Sequence, residues 1–178
     1  MAAVQKRSGY LTGARAYLGG PIEAADPTID WRSEPKRVLI EELKIDLFDP
    51  HADPKQQCFN ELIQAKEAAA WERVETIVRR FVRKDLCIVD RSDFIIACLP
   101  KGVPTVGTVH EIISSNNTKK PTLLVCPQGK QYIPSWYFGF IPHKNMFGSW
   151  GSLYTYLREV DSGWHVDDDR WAYVYKII

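Results

Sequence analysis

The sequence predicts an α/β fold in which a parallel sheet is wound with helices on both faces. Two continuous apolar runs of strand length, 93–99 and 121–126, are typical of strands that are buried on both sides. Segments with helical spacing alternate with the predicted strands, and this alternation favours parallel pairing. The chain has 178 residues, 45% of them hydrophobic, which is enough to form the core of one domain.

Predicted strands and helices alternate along the first 126 residues. The predicted strands cover 14–18, 44–48, 93–99 and 121–126. The predicted helices cover 31–43, 57–84 and 108–115. The first strand stops at the Gly19-Gly20-Pro21 turn. Paired glycines there permit backbone angles and close approaches that other residues forbid. The longest helix lacks Gly and Pro, and its pattern allows a break near Ala70.

The segment 127–178 differs in composition from the rest of the chain. It is dense in aromatic residues, with a predicted helix over 149–160 and an irregular tail to Ile178. We see no internal repeat and no low-complexity linker. We therefore predict a single domain over 1–178, with a core at about 14–126 and an aromatic-rich C-terminal extension.

Charge and composition argue against several classes of function. Lys and Arg number 23 against 22 Asp and Glu, so a net charge of +1 gives no electrostatic basis for binding a nucleic acid polymer. No apolar run approaches the roughly 18 residues of a membrane span, so we expect no membrane partner and a cytoplasmic location. The histidines lack metal-ligand spacing, so we expect no metal site, and the absence of both GxGxxG and a P-loop disfavours binding of a nucleoside triphosphate or dinucleotide through those motifs.

Polar residues and glycines follow the predicted strands. In a doubly wound sheet the carboxyl ends of the strands border the ligand crevice, because the connecting loops part there. A small substrate would therefore meet the residues at these ends. The candidate positions are Gly19, Gly20, Pro21, Asp49, His51, Thr105, Gly107, Thr108 and Glu111.

Glu111 is the candidate nucleophile. It ends the stretch Val103-Pro-Thr-Val-Gly-Thr-Val-His-Glu111, about one turn into a predicted helix. The partial positive charge of a helix N-terminus keeps a nearby carboxylate ionised. The alternative is that Glu111 is a capping-box or first-turn acid, as in many helices.

Two other candidates have structural alternatives. Asp85 follows the predicted long helix and can be a solvated helix-end charge. Tyr17 lies in the first predicted strand and can pack in the core. The pattern by itself predicts a crevice with carboxylates.

Several short motifs together resemble the nucleoside 2-deoxyribosyltransferase family. The motifs are Tyr17-Leu-Gly-Gly-Pro21, Phe48-Asp-Pro-His51, Asp85 with Asp93, Ile95-Ile-Ala-Cys-Leu99 and Gly107-Thr-Val-His-Glu111. The likeness covers roughly 14–126, and its specificity lies in the order and spacing of the pieces. It implies a flavodoxin-like fold, no cofactor, and cleavage of the N-glycosidic bond of 2′-deoxyribonucleosides with transfer of the sugar to another nucleobase.

The resemblance also implies roles for three residues. Glu111 matches the nucleophile that attacks C1′ of the deoxyribose, Asp85 a carboxylate that protonates the departing base, and Tyr17 an aromatic that hydrogen-bonds near the nucleophile. These roles suit the chemistry. A carboxylate can stabilise an oxocarbenium-like transition state and capture it as a glycosyl ester, while a second acid supplies the proton to the leaving base.

The chain departs from the family pattern near the nucleophile. Six residues before it, some transferases carry an aspartate that holds the sugar 5′-hydroxyl, and this chain has Thr105. In related nucleoside 5′-monophosphate N-glycosidases, a small hydroxyl residue there helps to bind the phosphate. Against a nucleotide substrate, Ala52 follows His51 where an arginine is expected. Ile112 and Ile113 replace the glycines that often follow the nucleophile.

Three functions therefore stay open at this point. The first is transfer of deoxyribose between bases, with a deoxynucleoside or deoxynucleotide and a free nucleobase as partners. The second is hydrolysis of a nucleoside 5′-monophosphate, and the third is a nucleotide-binding module without catalysis. The resemblance also implies a homo-oligomer, for which 132–147 is the candidate contact, with Trp136 and Trp150 as candidate pocket walls.

Overall fold

A computed structural model describes residues 9–22, 28–52, 56–165 and 168–175. Within these residues the centre of the molecule is one sheet of five parallel strands. The strands are β1 (Arg15–Gly19), β2 (Asp46–Phe48), β3 (Phe94–Cys98), β4 (Thr122–Val125) and β5 (Met146–Phe147). The α-helices are α1 (Ser33–Arg37), α2 (Gln56–Glu67), α3 (Trp71–Arg91), α4 (Val106–Asn117), α5 (Trp150–Asp161) and α6 (Ala172–Tyr175).

The strand order is β2-β1-β3-β4-β5, which is the flavodoxin-like order. The predicted doubly wound α/β fold is therefore confirmed. From β1 the chain passes through α1 to β2, towards one edge of the sheet. From β3 it passes through α4 to β4, towards the opposite edge. The switch point, where ligands bind in such sheets, lies between the carboxyl ends of β1 and β3.

Alternation along β1 divides the core into two layers. Ala16 and Leu18 point to the face covered by α5, α6 and the helical segment 33–42, whose α1 continues as a π-helical turn (Val38–Glu42). Tyr17 points to the opposite face, which α3 and α4 cover. Because successive side chains of a strand alternate between faces, this register places Tyr17 on the same side of the sheet as Glu111.

The predicted break in the long helix is confirmed, but its predicted end is wrong. The chain turns between α2 and α3, where Ala69 adopts a φ of 49°. Helix α3 then continues to Arg91, well beyond the predicted end at residue 84. No glycine or proline interrupts the extra turns, and Val89 is buried against the sheet. Asp85 therefore lies inside a helix and not beyond its end.

The aromatic segment contributes to the sheet and to the core. It supplies β5, a strand of two residues that pairs in parallel with β4 and is too short for a pattern to predict. It also supplies α5, close to the predicted 149–160, and the described part of the tail forms a 3₁₀ turn and α6. Trp171, in that turn, is fully buried against Phe94 of β3. The tail is thus regular over 169–175, while residues 166–167 and 176–178 lie outside the described part.

Candidate active site

Glu111 is a buried carboxylate at the switch point of the sheet. Its side chain belongs to α4 and is 8% exposed, although glutamate is rarely buried without a specific partner. Helix α4 begins at Val106, so Glu111 is its sixth residue and lies beyond the first turn. The alternative of a capping or first-turn acid is therefore wrong. The N-terminal dipole also acts mainly within the first turn, so the tertiary surroundings of Glu111 matter more.

Tyr17 is the hydrogen-bond donor that meets this carboxylate. Its hydroxyl donates to Oε1 of Glu111 over 2.5 Å, and the Tyr17 ring is completely buried against Phe48. Burial raises the pKa of the Tyr17 phenol, and the charges of Glu111 and Asp85 raise it further. The phenol consequently stays protonated and serves as a donor to the carboxylate.

Because Gly19 has no side chain, it leaves room for the Glu111 carboxylate. A Cβ atom at position 19 would lie 2.8 Å from Oε2 of Glu111 and 3.4 Å from Cγ2 of Thr108. Real Cβ contacts essentially never fall below 3.0 Å. The glycine at the end of β1 therefore allows the strand and the nucleophile candidate to approach each other closely.

A cavity of about 430 Å³ opens over Glu111. This volume falls in the range of about 300–1,000 Å³ that is typical of small-molecule sites. The cavity brings together residues from the turn after β1, from α2, from α3 and from the start of α4. The described residues that line it are Gly20, Pro21, Ile22, Phe59, Phe81, Asp85, Pro104, Thr105, Val106, Gly107, Thr108 and Glu111.

Asp85 reaches this cavity from the interior of α3. It is half-buried, and its charge acts on Tyr17 together with that of Glu111. Phe81 lies one helical turn earlier on the same face, and Phe59 approaches from α2. The cavity thus combines two carboxylates with two aromatic side chains, a set that can accommodate a polar sugar and a flat base.

Thr105 precedes the first residue of α4 and lines the cavity. Its side chain makes no capping hydrogen bond to the helix, so its hydroxyl is not used to cap the helix N-terminus. Gly107 and Thr108 also line the cavity, with Thr108 buried next to Gly19. The structure therefore brings these three predicted positions together with Glu111.

Asp49 and His51 lie outside the described lining of this cavity. Asp49 is buried, and its Oδ1 accepts hydrogen bonds from the Arg32 guanidinium at 2.7 Å and from the His51 backbone N–H at 3.0 Å. The His51 side chain is exposed. A substrate-binding role for these two residues stays a prediction from the resemblance.

Sequence analysis missed Arg32 entirely. It sits in a segment of helical spacing where charges normally face solvent, yet its side chain is buried behind the turn that follows β1. Nothing in the local pattern distinguishes it from the exposed Arg37 one and a half turns later. The feature that distinguishes Arg32 is its ion-pair partner, Asp49, which is 17 positions away in the sequence.

A second cavity of about 520 Å³ lies beside the first, and both include Pro21. It is on the opposite face of the sheet and is lined in part by Trp31 and Trp150, whose rings stack at 5.9 Å. Trp150 is thus a wall of this cavity. Trp136 lines neither of these cavities and is 85% exposed.

Two further observations concern only the described residues. No group of three or more His, Cys, Asp or Glu is arranged there to hold a metal ion. No helix in the same part of the chain is long and apolar enough to cross a membrane. The cytoplasmic location stays a prediction from the sequence.

No family model matches this chain, and no curated protein matches it significantly. The resemblance to deoxyribosyltransferases therefore depends on the short motifs and on the geometry of the residues that they contain. That geometry provides a buried carboxylate with a short hydrogen bond, a second carboxylate in the same cavity, and walls that are partly aromatic. Such a set can carry out nucleophilic substitution at a sugar carbon with proton transfer to a leaving group.

Proposed function

We propose that the protein is a nucleoside 2-deoxyribosyltransferase that acts through Glu111. The observation that carries the proposal is the buried Glu111 carboxylate, held by the Tyr17 hydroxyl at 2.5 Å, in a cavity that also contains Asp85. Burying a carboxylate is unfavourable, and such groups in clefts are concentrated at functional sites. The cavity also lies at the switch point where doubly wound folds bind their ligands.

In the first step a carboxylate oxygen of Glu111 attacks C1′ of the deoxyribose while the bond from C1′ to the base nitrogen breaks. The electron pair of that bond stays on the nitrogen, and the base receives a proton that Asp85 relays from solvent. Tyr17 remains protonated and orients the attacking carboxylate. The products of this step are a glycosyl ester on Glu111 and a neutral free base.

In the second step a nitrogen of another base attacks C1′ of the ester. The Glu111 carboxylate leaves, and Asp85 takes the proton from the incoming nitrogen. Two successive inversions at C1′ retain the configuration of the sugar. Phe59 and Phe81 are the aromatic walls against which either base can pack.

Incubation with deoxyinosine and adenine tests the proposal. Chromatography should show hypoxanthine and deoxyadenosine in equal amounts. Glu111→Ala should lower the rate at least about 1,000-fold, because removal of a nucleophile abolishes the covalent route. Glu41→Gln, a change at an exposed carboxylate, is the matched control and should leave the rate unchanged. Full activity of Glu111→Ala would remove Glu111 as the nucleophile.

A second candidate function is hydrolysis of a deoxynucleoside 5′-monophosphate. The observation that favours it is Thr105, which lines the cavity and whose side chain makes no capping hydrogen bond to α4. Water then takes the place of the second base in attacking the ester. Deoxyinosine 5′-monophosphate would yield hypoxanthine and deoxyribose 5-phosphate, with no new nucleotide in the presence of adenine. Saturable binding of either substrate, without turnover over long incubation, would instead favour a binding module.

We also propose that the protein forms a homo-oligomer through the exposed aromatic residues of 132–147. Tyr132, Trp136 and Phe138 are exposed, whereas Tyr137 and Phe147 of the same segment are core residues. Exposed aromatic clusters are common at protein interfaces. Light scattering after size-exclusion chromatography measures the mass, and Trp136→Glu should lower it. A monomeric, fully active wild-type protein would contradict this part of the proposal.

A further inference from the structure

Arg32 forms a buried ion pair behind the turn that follows β1. Its guanidinium donates to Oδ1 of Asp49 over 2.7 Å, and the two side chains are 8% and 3% exposed. Lys36 approaches Oδ2 of the same carboxylate at 2.9 Å. An arginine is difficult to bury, and burial lowers the pKa of Arg32 while Asp49 opposes that shift. Because burial of this ion pair is costly, its position inside the protein indicates a specific role for it.

The rest of the guanidinium faces the backbone of the glycine turn. Its two terminal nitrogens donate to the carbonyl oxygens of Leu18 at 3.4 Å, Gly20 at 3.4 Å and Pro21 at 3.3 Å. Each contact is long for an N–H···O bond, but the three act together in a buried place. They bracket Gly19, the residue at which an added Cβ would lie 2.8 Å from Oε2 of Glu111.

The neighbouring Trp31 holds the same turn from the side. A Cβ atom at Gly20 would lie 2.6 Å from the Trp31 ring, so the ring packs directly on that glycine. The Arg32 guanidinium carbon lies 4.1 Å from the centroid of the Trp31 ring, within the range of a cation–π contact. The turn is thus fixed by hydrogen bonds and by an aromatic side chain.

We propose that Arg32 is a positioning residue for Glu111: anchored by Asp49, its guanidinium fixes the turn 19–21, and the turn fixes the carboxylate. This inference deepens the proposed function and depends on it for its kinetic consequence. It also gives Asp49 a role as the counter-ion of Arg32, distinct from contact with the substrate. A planar fork of donors suits this task, because a lysine can pair with Asp49 but cannot also reach three carbonyl groups.

The first test compares Arg32→Lys with Arg37→Lys. Arg37 is half exposed and pairs with Glu42 on the surface, so it is the matched control. Arg32→Lys should lower kcat about 10- to 100-fold and change KM less than about threefold, because a misplaced nucleophile slows the chemical step. Arg37→Lys should leave both constants unchanged. Asp49→Asn keeps an acceptor for Arg32 and should give a smaller fall in kcat.

A wild-type kcat for Arg32→Lys would overturn the proposal. So would a raised KM with unchanged kcat, since that result indicates a residue that binds substrate. The crystal structure of Arg32→Lys gives a readout that needs no activity: displacement of the turn 19–21 relative to Glu111 supports the proposal, and an unmoved turn overturns it. If the wild-type protein transfers no sugar, the proposed function fails while this structural comparison still decides the role of Arg32.

Discussion

Gly19→Ala is the change that most directly tests whether Glu111 must sit where the structure places it. The substitution adds one methyl group at the carboxyl end of β1. That methyl carbon would start 2.8 Å from Oε2 of Glu111, whereas ordinary contacts begin at 3.4 Å. The two atoms must therefore separate by about 0.6 Å, a difference taken from those two distances.

The side chain of Glu111 is what gives way. Gly19 belongs to a central strand that pairs with β3, while the carboxylate is the far end of a longer side chain. Moving the carboxylate stretches its 2.5 Å hydrogen bond from Tyr17. A displacement of about 1 Å at a reacting group can slow a reaction about 100-fold, so a shift of this size should lower kcat about 10- to 100-fold. The free energy of unfolding should fall only about 1–2 kcal/mol, a modest overpacking penalty.

The assay measures kcat and KM for base exchange together with the thermal midpoint of unfolding. Gly151→Ala is the matched control, because a Cβ there meets only the Ser149 hydroxyl at 3.9 Å. It lies within α5, where Ala is preferred over Gly, and should leave kcat unchanged. A Gly19→Ala protein with wild-type kcat would refute the inference that the close approach of β1 positions Glu111 for activity.

The remaining predictions concern three residues. Tyr17→Phe should lower kcat about 10- to 150-fold, because a hydrogen bond to a charged group contributes about 1.5–3 kcal/mol, and unchanged kcat would contradict that role. Burial raises the pKa of the Tyr17 phenol above its ordinary 10.0. The contribution of Tyr17 to stability is therefore complete below pH 10 and is lost as the pH rises further. In alkaline denaturation curves, wild type should lose more stability above pH 10 than Tyr17→Phe. Asp85→Asn should slow transfer from ordinary nucleosides more than from a nucleoside whose base leaves without protonation, and equal loss for both would argue against proton donation. Trp171→Ala should lower the free energy of unfolding by about 3–5 kcal/mol in urea, because it removes a fully buried ring and its 2.9 Å hydrogen bond to the Tyr156 hydroxyl, and a loss below 1 kcal/mol would contradict that packing.

The fold class follows from the sequence because strands that are buried on both faces leave continuous apolar runs in it. The runs that became β3 and β4 are buried on both faces, so every position in them is apolar or small. The end of α3 was mispredicted because charged residues interrupt the apolar pattern of its last turns, although Ile88 and Val89 pack on the core. Strand β5 could not be predicted, since two residues carry no periodicity.

The site could be predicted only in part. Motif resemblance selected Glu111, Asp85 and Tyr17, and the structure places Glu111 and Asp85 in the lining of one cavity, with the Tyr17 hydroxyl hydrogen-bonded to Glu111. The same resemblance selected Asp49, whose observed partner, Arg32, was not anticipated. A charged residue in an amphipathic segment looks solvated unless the position of its partner is known.

By itself the sequence determined the fold class and most of the strands and helices, because local apolar spacing depends on neighbours in the chain, and its short motifs selected the candidate site residues. The tertiary structure alone decided that the Tyr17 hydroxyl reaches Glu111 across 94 positions, that Gly19 makes room for that carboxylate, and that Arg32 is buried. The physical reason is that strand register and helix packing set which distant side chains meet, and the interaction energies of a buried carboxylate depend on those neighbours.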